Sequence, residues 1–175
     1  IMGFLKKVSR LVASENLPVC WTTPKPLNFP VQMMCYKKES KRVKTKMGDS
    51  IIKLSIQSDT DEIDKRKTAQ SICPNLIHSL DASCLMLAVI KAKDKGVTNF
   101  SLIHDSFGCV APDVHKLSEA IREAFCEVYE QDVLTNWAME MKQMLSDKNA
   151  KKFPHIPERG NLDLSLVKQS IFFCV

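Results

Sequence analysis

The sequence contains little glycine and few aromatic residues, and it has no Gly-rich loop of the kind that cradles phosphates. Five glycines and eight prolines among 175 residues exclude collagen-like and linker compositions. No apolar run approaches the roughly 20 residues that a membrane helix needs, and no signal peptide is recognisable. Because residue 1 is Ile rather than Met and opens directly on a helical pattern, we expect the sequence to be part of a longer protein.

The seven cysteines are widely spread and include no C-x-x-C pair. A disulfide framework or a zinc site would space them differently. We therefore expect reduced, buried thiols and a reducing compartment. The apolar share of 45% and the charged share of 26% suffice for one domain with its own core.

The positive charge is concentrated in one segment. Between Lys37 and Lys53 there are seven basic and two acidic residues, a surplus equal to the net charge of +5 of the whole chain. Such a stretch suggests contact with a polyanion. The alternative is a solvated hairpin whose lysines keep a sheet edge soluble, and charge alone does not separate the two.

Apolar periodicity predicts a helix over residues 2–15 and a short strand over residues 19–21, followed by a proline-rich loop. Residues 41–46 and 50–56 flank Met47-Gly48-Asp49, a pattern typical of a hairpin in which Gly48 adopts a positive φ.

Further along, Asp59 to Asp61 offer an N-cap for a helix that ends near Ile72. Pro74 then starts a second helix, which is apolar on more than one side and runs to Gly96 as its C-cap. Two short strands at 100–104 and 107–110 predict a hairpin, and amphipathic helices are predicted at 117–130 and 133–145. The fold class is therefore α/β in the broad sense, or α+β.

The sharpest local feature is the run from Leu102 to Gly108, in which apolar strands hold His104 and Asp105 at a tight turn. A carboxylate at the tip of a buried hairpin is unfavourable unless it is hydrogen-bonded or binds a cation. A hard metal, foremost Mg²⁺, fits such a ligand. The alternative is a turn Asp that bonds its own backbone.

The second feature is a polar cluster on the otherwise apolar helix after Pro74. His78 and Asp81 lie three residues apart on one face, with Ser79 and Ser83 beside them. Such a cluster faces either a functional site or internal partners, as a satisfied core histidine would.

Together these runs resemble one family. Residues 73–83 and 103–108, followed by Gly160 to Leu164 and the final Phe172-Phe173, resemble the C-terminal part of the single-subunit DNA-dependent RNA polymerases of T-odd phages, mitochondria and chloroplasts. Val19 to Pro24 resembles the strand before that family's specificity hairpin. The resemblance implies the palm and fingers portion of a right-hand polymerase fold, mostly helical, with a palm β-hairpin and a projecting basic hairpin.

The resemblance also implies roles for the polar residues. Asp105 matches one of two aspartates that hold two Mg²⁺ ions during nucleotidyl transfer. His104 matches a residue that supports the site near the primer end, and His78 matches a histidine that contacts the minor groove of the newest base pair.

The basic hairpin, over residues 36–56, falls where the family places its promoter-reading loop. The implied nucleic-acid contacts are Lys41, Arg42, Lys44, Thr45, Lys46 and Lys53. A gapless register makes Val43, Thr45, Lys53 and Ser55 the base-reading residues, whereas a one-residue slip substitutes Arg42, Lys44 and Lys46.

The family's second metal aspartate and its nucleotide-binding helix lie upstream of residue 1. We therefore expect this segment to be inactive alone and to require the upstream remainder of the polymerase, a DNA template and promoter, and ribonucleoside triphosphates, with RNA as product and no membrane partner. Residues 74–111 then carry the palm helix and metal hairpin, and residues 112–175 the C-terminal helices and tail. The expected location is host-cell cytoplasm for a phage enzyme, or the mitochondrial matrix or plastid for an organellar one.

Three other interpretations remain, and one of them, a plain structural domain, leaves both polar motifs unexplained. A DNA polymerase of related fold usually has Glu after the hairpin aspartate, and Ser106 argues against that. A catalytically incomplete remnant would act at most as a nucleic-acid-binding module.

Overall fold

A computed structural model describes residues 1–103 and 105–171. His104 and the Phe172-Phe173 motif of the tail therefore lie outside the described residues. About half of the chain is helical, and the described strands form three separate two-stranded antiparallel sheets. The α+β class expected from the sequence is confirmed.

The elements follow one another in a simple order. They are α1 (Met2–Ser14), β1 (Val19–Thr22), β2 (Pro30–Met33), β3 (Tyr36–Met47), β4 (Ser50–Ile63), α2 (Lys65–Asp94), β5 (Phe100–Ile103), β6 (Ser106–Cys109), α3 (Val114–Glu130), α4 (Val133–Met144), α5 (Asp147–Ala150) and α6 (Ser165–Gln169), with a 3₁₀ turn at Ala111–Asp113.

The start of α2 differs from the sequence prediction. Strand β4 continues through the proposed cap at 59–61 as far as Ile63, which pairs with Tyr36. The N-cap is instead Asp64, whose Oδ1 accepts hydrogen bonds from the backbone N–H groups of Arg66 and Lys67, each at 2.9 Å. These bonds lower the pKa of the Asp64 carboxyl.

The predicted break at Pro74 is also wrong, because α2 is a single helix of 30 residues with Pro74 in its interior. A proline there costs about 3 kcal/mol. Ile72, Cys73 and Leu76 lie on both sides of it and are buried against α1, and burying such side chains contributes roughly 1.5–3 kcal/mol each. Packing of both halves of the helix therefore outweighs the local cost.

The C-terminal end of α2 is as expected. Gly96 has φ +87°, its N–H donates to the Lys93 carbonyl at 2.9 Å, and the Val97 N–H donates to the Ala92 carbonyl at 3.0 Å. This is a Schellman arrangement, and it turns the chain toward β5.

Two groups of apolar contacts position the remaining elements. The larger joins α1, α2 and α4 around Val8, Ile72, Trp137 and Met141, with Trp21 of β1 included. The other contacts join α2 to α3, and the β5–β6 hairpin packs on them through Phe107. Helix α2 therefore carries the polar cluster around His78, packs against the β5–β6 hairpin and directly follows strand β4 of the basic hairpin.

Helix α2 also meets the length and composition of a membrane span, with a mean hydropathy of 1.4 over 18 residues, although no apolar run in the sequence suggested one. This is a weak indication, because a core helix passes the same test. Here α2 packs along α1 and α3 through Leu76, Leu87 and Ala88, as a core helix does.

Candidate functional site

Asp105 lies in the tight connection between β5 and β6. Ile103 of β5 pairs with Ser106 of β6, so β6 begins one residue earlier than predicted. Asp105 is exposed, so the expectation of a carboxylate at a buried tip is wrong. The hairpin itself is confirmed, but His104, the other predicted residue of this turn, is outside the described residues.

The base of this hairpin is fixed although its tip is exposed. Phe107 packs against the buried clusters that α2 and α3 form around Leu87, Ala88 and Ala120. Gly108 lies so close to β5 that a Cβ atom there would be 3.3 Å from Cβ and O of Ser101. The hairpin therefore holds Asp105 in a defined place at the surface.

The described residues provide only part of a metal site. Across 1–103 and 105–171, no three His, Cys, Asp or Glu side chains are grouped so that they could hold a metal ion. Mg²⁺ usually takes one or two protein carboxylates and completes its shell with water and phosphate oxygens. The single exposed carboxylate of Asp105 fits one ligand position of such a site and not a complete one.

The polar cluster on α2 divides into an inner and an outer pair. Ser79 Oγ accepts a hydrogen bond from Trp21 Nε1 at 3.0 Å and donates to the Leu76 carbonyl at 2.7 Å. Ser83 is fully buried, and its Oγ donates to the Ser79 carbonyl at 2.7 Å. The two serines are therefore structural: Ser79 attaches β1 to α2, whereas the Ser83 hydroxyl bonds within α2.

His78 and Asp81 form the outer pair, and both are exposed. The alternative of a satisfied core histidine is therefore wrong. Burial, together with the nearby Asp81 charge, raises the pKa of the Cys84 thiol to about 11. Burial, with Cys84 and Asp81 close by, raises the pKa of Tyr129 to about 12. Asp81 thus has two groups close by, Cys84 and Tyr129, that stay neutral at pH 7.

Strands β3 and β4 form a long basic arm, defined here as residues 36–63. From Lys37 to Asp59 every residue is exposed except the half-buried Thr45. The predicted hairpin and its turn are confirmed, with Gly48 at φ +61°, but its strands reach further than predicted. The arm projects from the fold and offers both of its faces.

The register separates charge from apolar surface. Directly paired residues share a face of a hairpin, and the pairs Arg42–Ser55, Lys44–Lys53 and Lys46–Ile51 alternate with Lys41–Ile56, Val43–Leu54 and Thr45–Ile52. The first set is mainly basic. The second is mainly apolar, with Val43 42% and Leu54 47% exposed.

This register places the two predicted sets of contacts differently on the faces of the arm. Val43 and Thr45 lie on the face opposite to Lys53 and Ser55, so the gapless set does not form one surface. Arg42, Lys44, Lys46 and Lys53 do share a face, whereas Lys41 and Thr45 point away from it. Lys44 and Lys53 are directly opposed, an unfavourable like-charge pair that a bound anion would relieve.

The root of the arm, where Asp61 and Ile63 lead into α2, is held by residues outside the arm that the sequence did not point to. Asn16 follows α1 with φ +59°, and its amide bonds β4. The adjacent Glu15 accepts hydrogen bonds from Ser146 and Asn149, which lower its pKa. The only signal in the sequence was Asn16 as a plausible helix end, because the partners lie 45 to 134 residues away.

The described residues thus present an exposed aspartate on a fixed hairpin, an exposed histidine on α2 and a two-faced basic arm. The sequence profile of the DNA-dependent RNA polymerase family matches residues 1–152. The chain therefore belongs to this family.

Curated relatives agree with the family match. The chain is 39% identical over 173 residues to the chloroplastic/mitochondrial DNA-directed RNA polymerase 2 of Arabidopsis thaliana, a match that covers 99% of this chain and 16% of the relative. It is 35% identical to the mitochondrial polymerase 1 of Nicotiana sylvestris with the same coverage. A third relative, DNA-directed RNA polymerase 1A of Nicotiana tabacum, is 36% identical over 163 residues, which is 93% of this chain and 99% of the relative. The chain thus spans about one sixth of the first two relatives.

Proposed function

We propose that this chain forms the C-terminal palm and fingers part of a phage-type DNA-directed RNA polymerase, which extends RNA from ribonucleoside triphosphates on a DNA template. The observation that carries the proposal is Asp105, an exposed carboxylate on a hairpin that Phe107 anchors to α2 and α3, in a chain of this polymerase family. Two of the reported relatives are mitochondrial or chloroplastic/mitochondrial by name, which supports an organelle as the location.

Asp105 would supply one ligand to Mg²⁺, which activates the attacking hydroxyl and stabilises the leaving pyrophosphate when bound. The upstream remainder of the polymerase would contribute the second carboxylate and the groups that hold the nucleotide. His104 would support the primer end.

His78 would contact the minor groove of the nascent pair, where hydrogen-bond acceptors recur at every sequence. Its exposure on α2 and the inward orientation of Ser79 support this, because the helix is held by one face and presents the other.

The arm would bind promoter DNA through its basic face. Lysine and arginine at phosphates position a protein, and a few side chains at base edges give specificity. Arg42, Lys44 and Lys53 support this role because they lie on one exposed face. Lys41 and Thr45, which the sequence also suggested, point to the other side.

The test uses a polymerase in which this chain replaces the matching segment of the Arabidopsis relative. In Asp105→Asn, the rate of primer extension on a DNA template should fall by roughly 10³-fold or more, because a charged group that acts on the transition state is lost. The affinity for the primed template should stay near that of the parent. The matched control is Asp113→Asn, which removes a carboxylate paired with Lys116 at 2.8 Å and should leave extension unchanged. Extension retained by Asp105→Asn would refute the assignment.

A second candidate is a nucleic-acid-binding module without catalysis. It is favoured by the single carboxylate and by the absence of a metal-holding group in the described ranges. The same chimera separates the two, because a binding module would retain DNA affinity and yield no extension in the parent protein.

A further inference from the structure

The direction of the basic arm is set at its root, since its shaft has little support from the rest of the fold. The residues from Lys37 to Asp59 are exposed apart from Thr45. The strand from Lys37 to Met47 spans about 33 Å, so a rotation of about 10° at the root moves the tip by about 6 Å. A small change at the root is therefore sufficient to displace the basic face from any fixed DNA backbone.

Within residues 1–103 and 105–171, the side-chain hydrogen bonds that join the arm to the segment after α1 are two, and both involve Asn16. Its Oδ1 accepts from the Ile63 backbone N–H at 2.8 Å, and its Nδ2 donates to the Asp61 carbonyl at 3.1 Å. These two backbone groups are two residues apart on β4, as the partners of one residue of a neighbouring parallel strand would be. The side-chain amide of Asn16 thus makes, at the edge of the arm, the two hydrogen bonds that a residue of a neighbouring strand would make.

The position of this amide is itself fixed. Asn16 has φ +59°, a left-handed conformation that Asn tolerates better than most residues. The preceding Glu15 accepts hydrogen bonds from the backbone N–H and the Oγ of Ser146, at 3.1 and 2.6 Å, and from Asn149 Nδ2 at 2.6 Å. The end of α1 is therefore bound to the region after α4 on one side and to the arm on the other.

We infer that Asn16 is a positioning residue that sets the orientation of the basic arm and thereby its affinity for DNA. The orientation part stands on geometry alone, while the DNA part rests on the function proposed above. Asn16 touches no substrate in this scheme and acts through the backbone of Asp61 and Ile63.

Asn16→Gly tests the inference without backbone strain, because glycine adopts a positive φ readily. The matched control is Asn28→Gly, since Asn28 also has a positive φ, of 51°, and its side chain donates to the nearby Pro26 carbonyl at 3.4 Å. The conservative variant is Asn16→Asp, which keeps the acceptor for the Ile63 N–H and loses the donor to Asp61.

Orientation is measured on the 175-residue chain by residual dipolar couplings of backbone amides. In the parent and in Asn28→Gly, one alignment tensor should fit both the arm and α2. In Asn16→Gly the arm should need a separate tensor of smaller magnitude, while the couplings of α2 stay unchanged. In Asn16→Asp the tensor magnitude of the arm should lie between those of the parent and of Asn16→Gly. One shared tensor in Asn16→Gly would overturn the inference, and the unchanged α2 couplings would show that the variant is folded.

Binding is measured in the same proteins by fluorescence anisotropy with a labelled DNA duplex. Asn16→Gly should bind about tenfold more weakly, the effect of two lost hydrogen bonds of ordinary net strength. Equal affinity combined with a separate arm tensor would overturn the link from orientation to binding. A parent chain that fits one tensor but binds no duplex would instead contradict the proposed function, and the orientation result would still decide the role of Asn16.

Discussion

The two faces of the basic arm make different predictions for the salt dependence of DNA binding. Arg42, Lys44, Lys46 and Lys53 share one face. Each phosphate that a protein neutralises contributes about −0.9 to the slope of log K against log salt concentration. With all four side chains at phosphates, the slope is about −3.6, and affinity falls roughly 150-fold between 50 and 200 mM salt.

The perturbation is the double substitution Arg42→Gln and Lys44→Gln. Two fewer phosphate contacts should bring the slope to about −1.8, so that the same change in salt weakens binding only about 12-fold. The assay is a fluorescence anisotropy titration of a labelled duplex at four or more salt concentrations.

Neighbouring residues provide the control. Lys41→Gln and Arg42→Gln remove the same charge one position apart, but Lys41 pairs with Ile56 on the apolar face and Arg42 pairs with Ser55 on the basic face. Only Arg42→Gln should change the slope, by about 0.9. Equal slopes for the two single variants, or an unchanged slope in the double variant, would refute the two-faced interpretation and leave the arm as a solvated sheet edge.

Three further predictions concern the body of the fold. In urea titrations, Trp21→Phe should lower the free energy of unfolding by about 1 kcal/mol more than Trp137→Phe does. Both side chains are buried, but Trp21 donates a hydrogen bond to Ser79, whereas Trp137 Nε1 has no hydrogen-bond partner in the described part of the chain. Equal losses of stability would contradict this. Hydrogen bonds from Ser146 and Asn149 lower the pKa of Glu15, so the charged carboxylate stabilises the fold above pH 4.5, its usual pKa, and this contribution is lost as the pH falls through the lower pKa of the folded state. In Glu15→Gln the melting temperature should therefore decrease less over that pH range. An identical decrease in both proteins would exclude the effect. The pKa of Cys84 is raised from 9.0 to about 11, so at pH 8 its thiolate fraction is about one hundredth of that of an ordinary thiol. Iodoacetamide should therefore label Cys84 readily only in urea, as followed by peptide mass spectrometry. Fast labelling of the native chain would argue against its burial.

Local patterns were sufficient for much of the fold. Helical periodicity predicted α1, α3 and α4, and Gly48 and Gly96 marked a turn and a helix end that the structure confirms. These features depend on neighbours within a few residues, which a sequence displays directly. The two polar motifs around His78 and Asp105 were visible for the same reason.

The errors have physical causes in long-range contacts. Pro74 appeared to end a helix because the local cost of proline is large, but the packing of Ile72 and Leu76 on α1 overrides it. Asp59 to Asp61 looked like a helix cap, yet the pairing of β4 with β3 extends past them to Ile63. The inward orientation of Ser79 depends on Trp21, 58 residues away, and the burial expected for Asp105 depended on surroundings that only a structure provides.

Because α2 is one continuous helix, it fixes both the distance and the rotation between the basic arm and the hairpin of Asp105. The arm joins the helix at Asp64, and the hairpin of Asp105 packs on Leu87 and Ala88, about 34 Å further along at 1.5 Å per residue. One inserted residue between these points would shift the ends by about 1.5 Å and rotate them by about 100° relative to each other. Length changes within α2 should therefore be strongly disfavoured in functional variants, whereas the loop between β1 and β2 is free of this constraint.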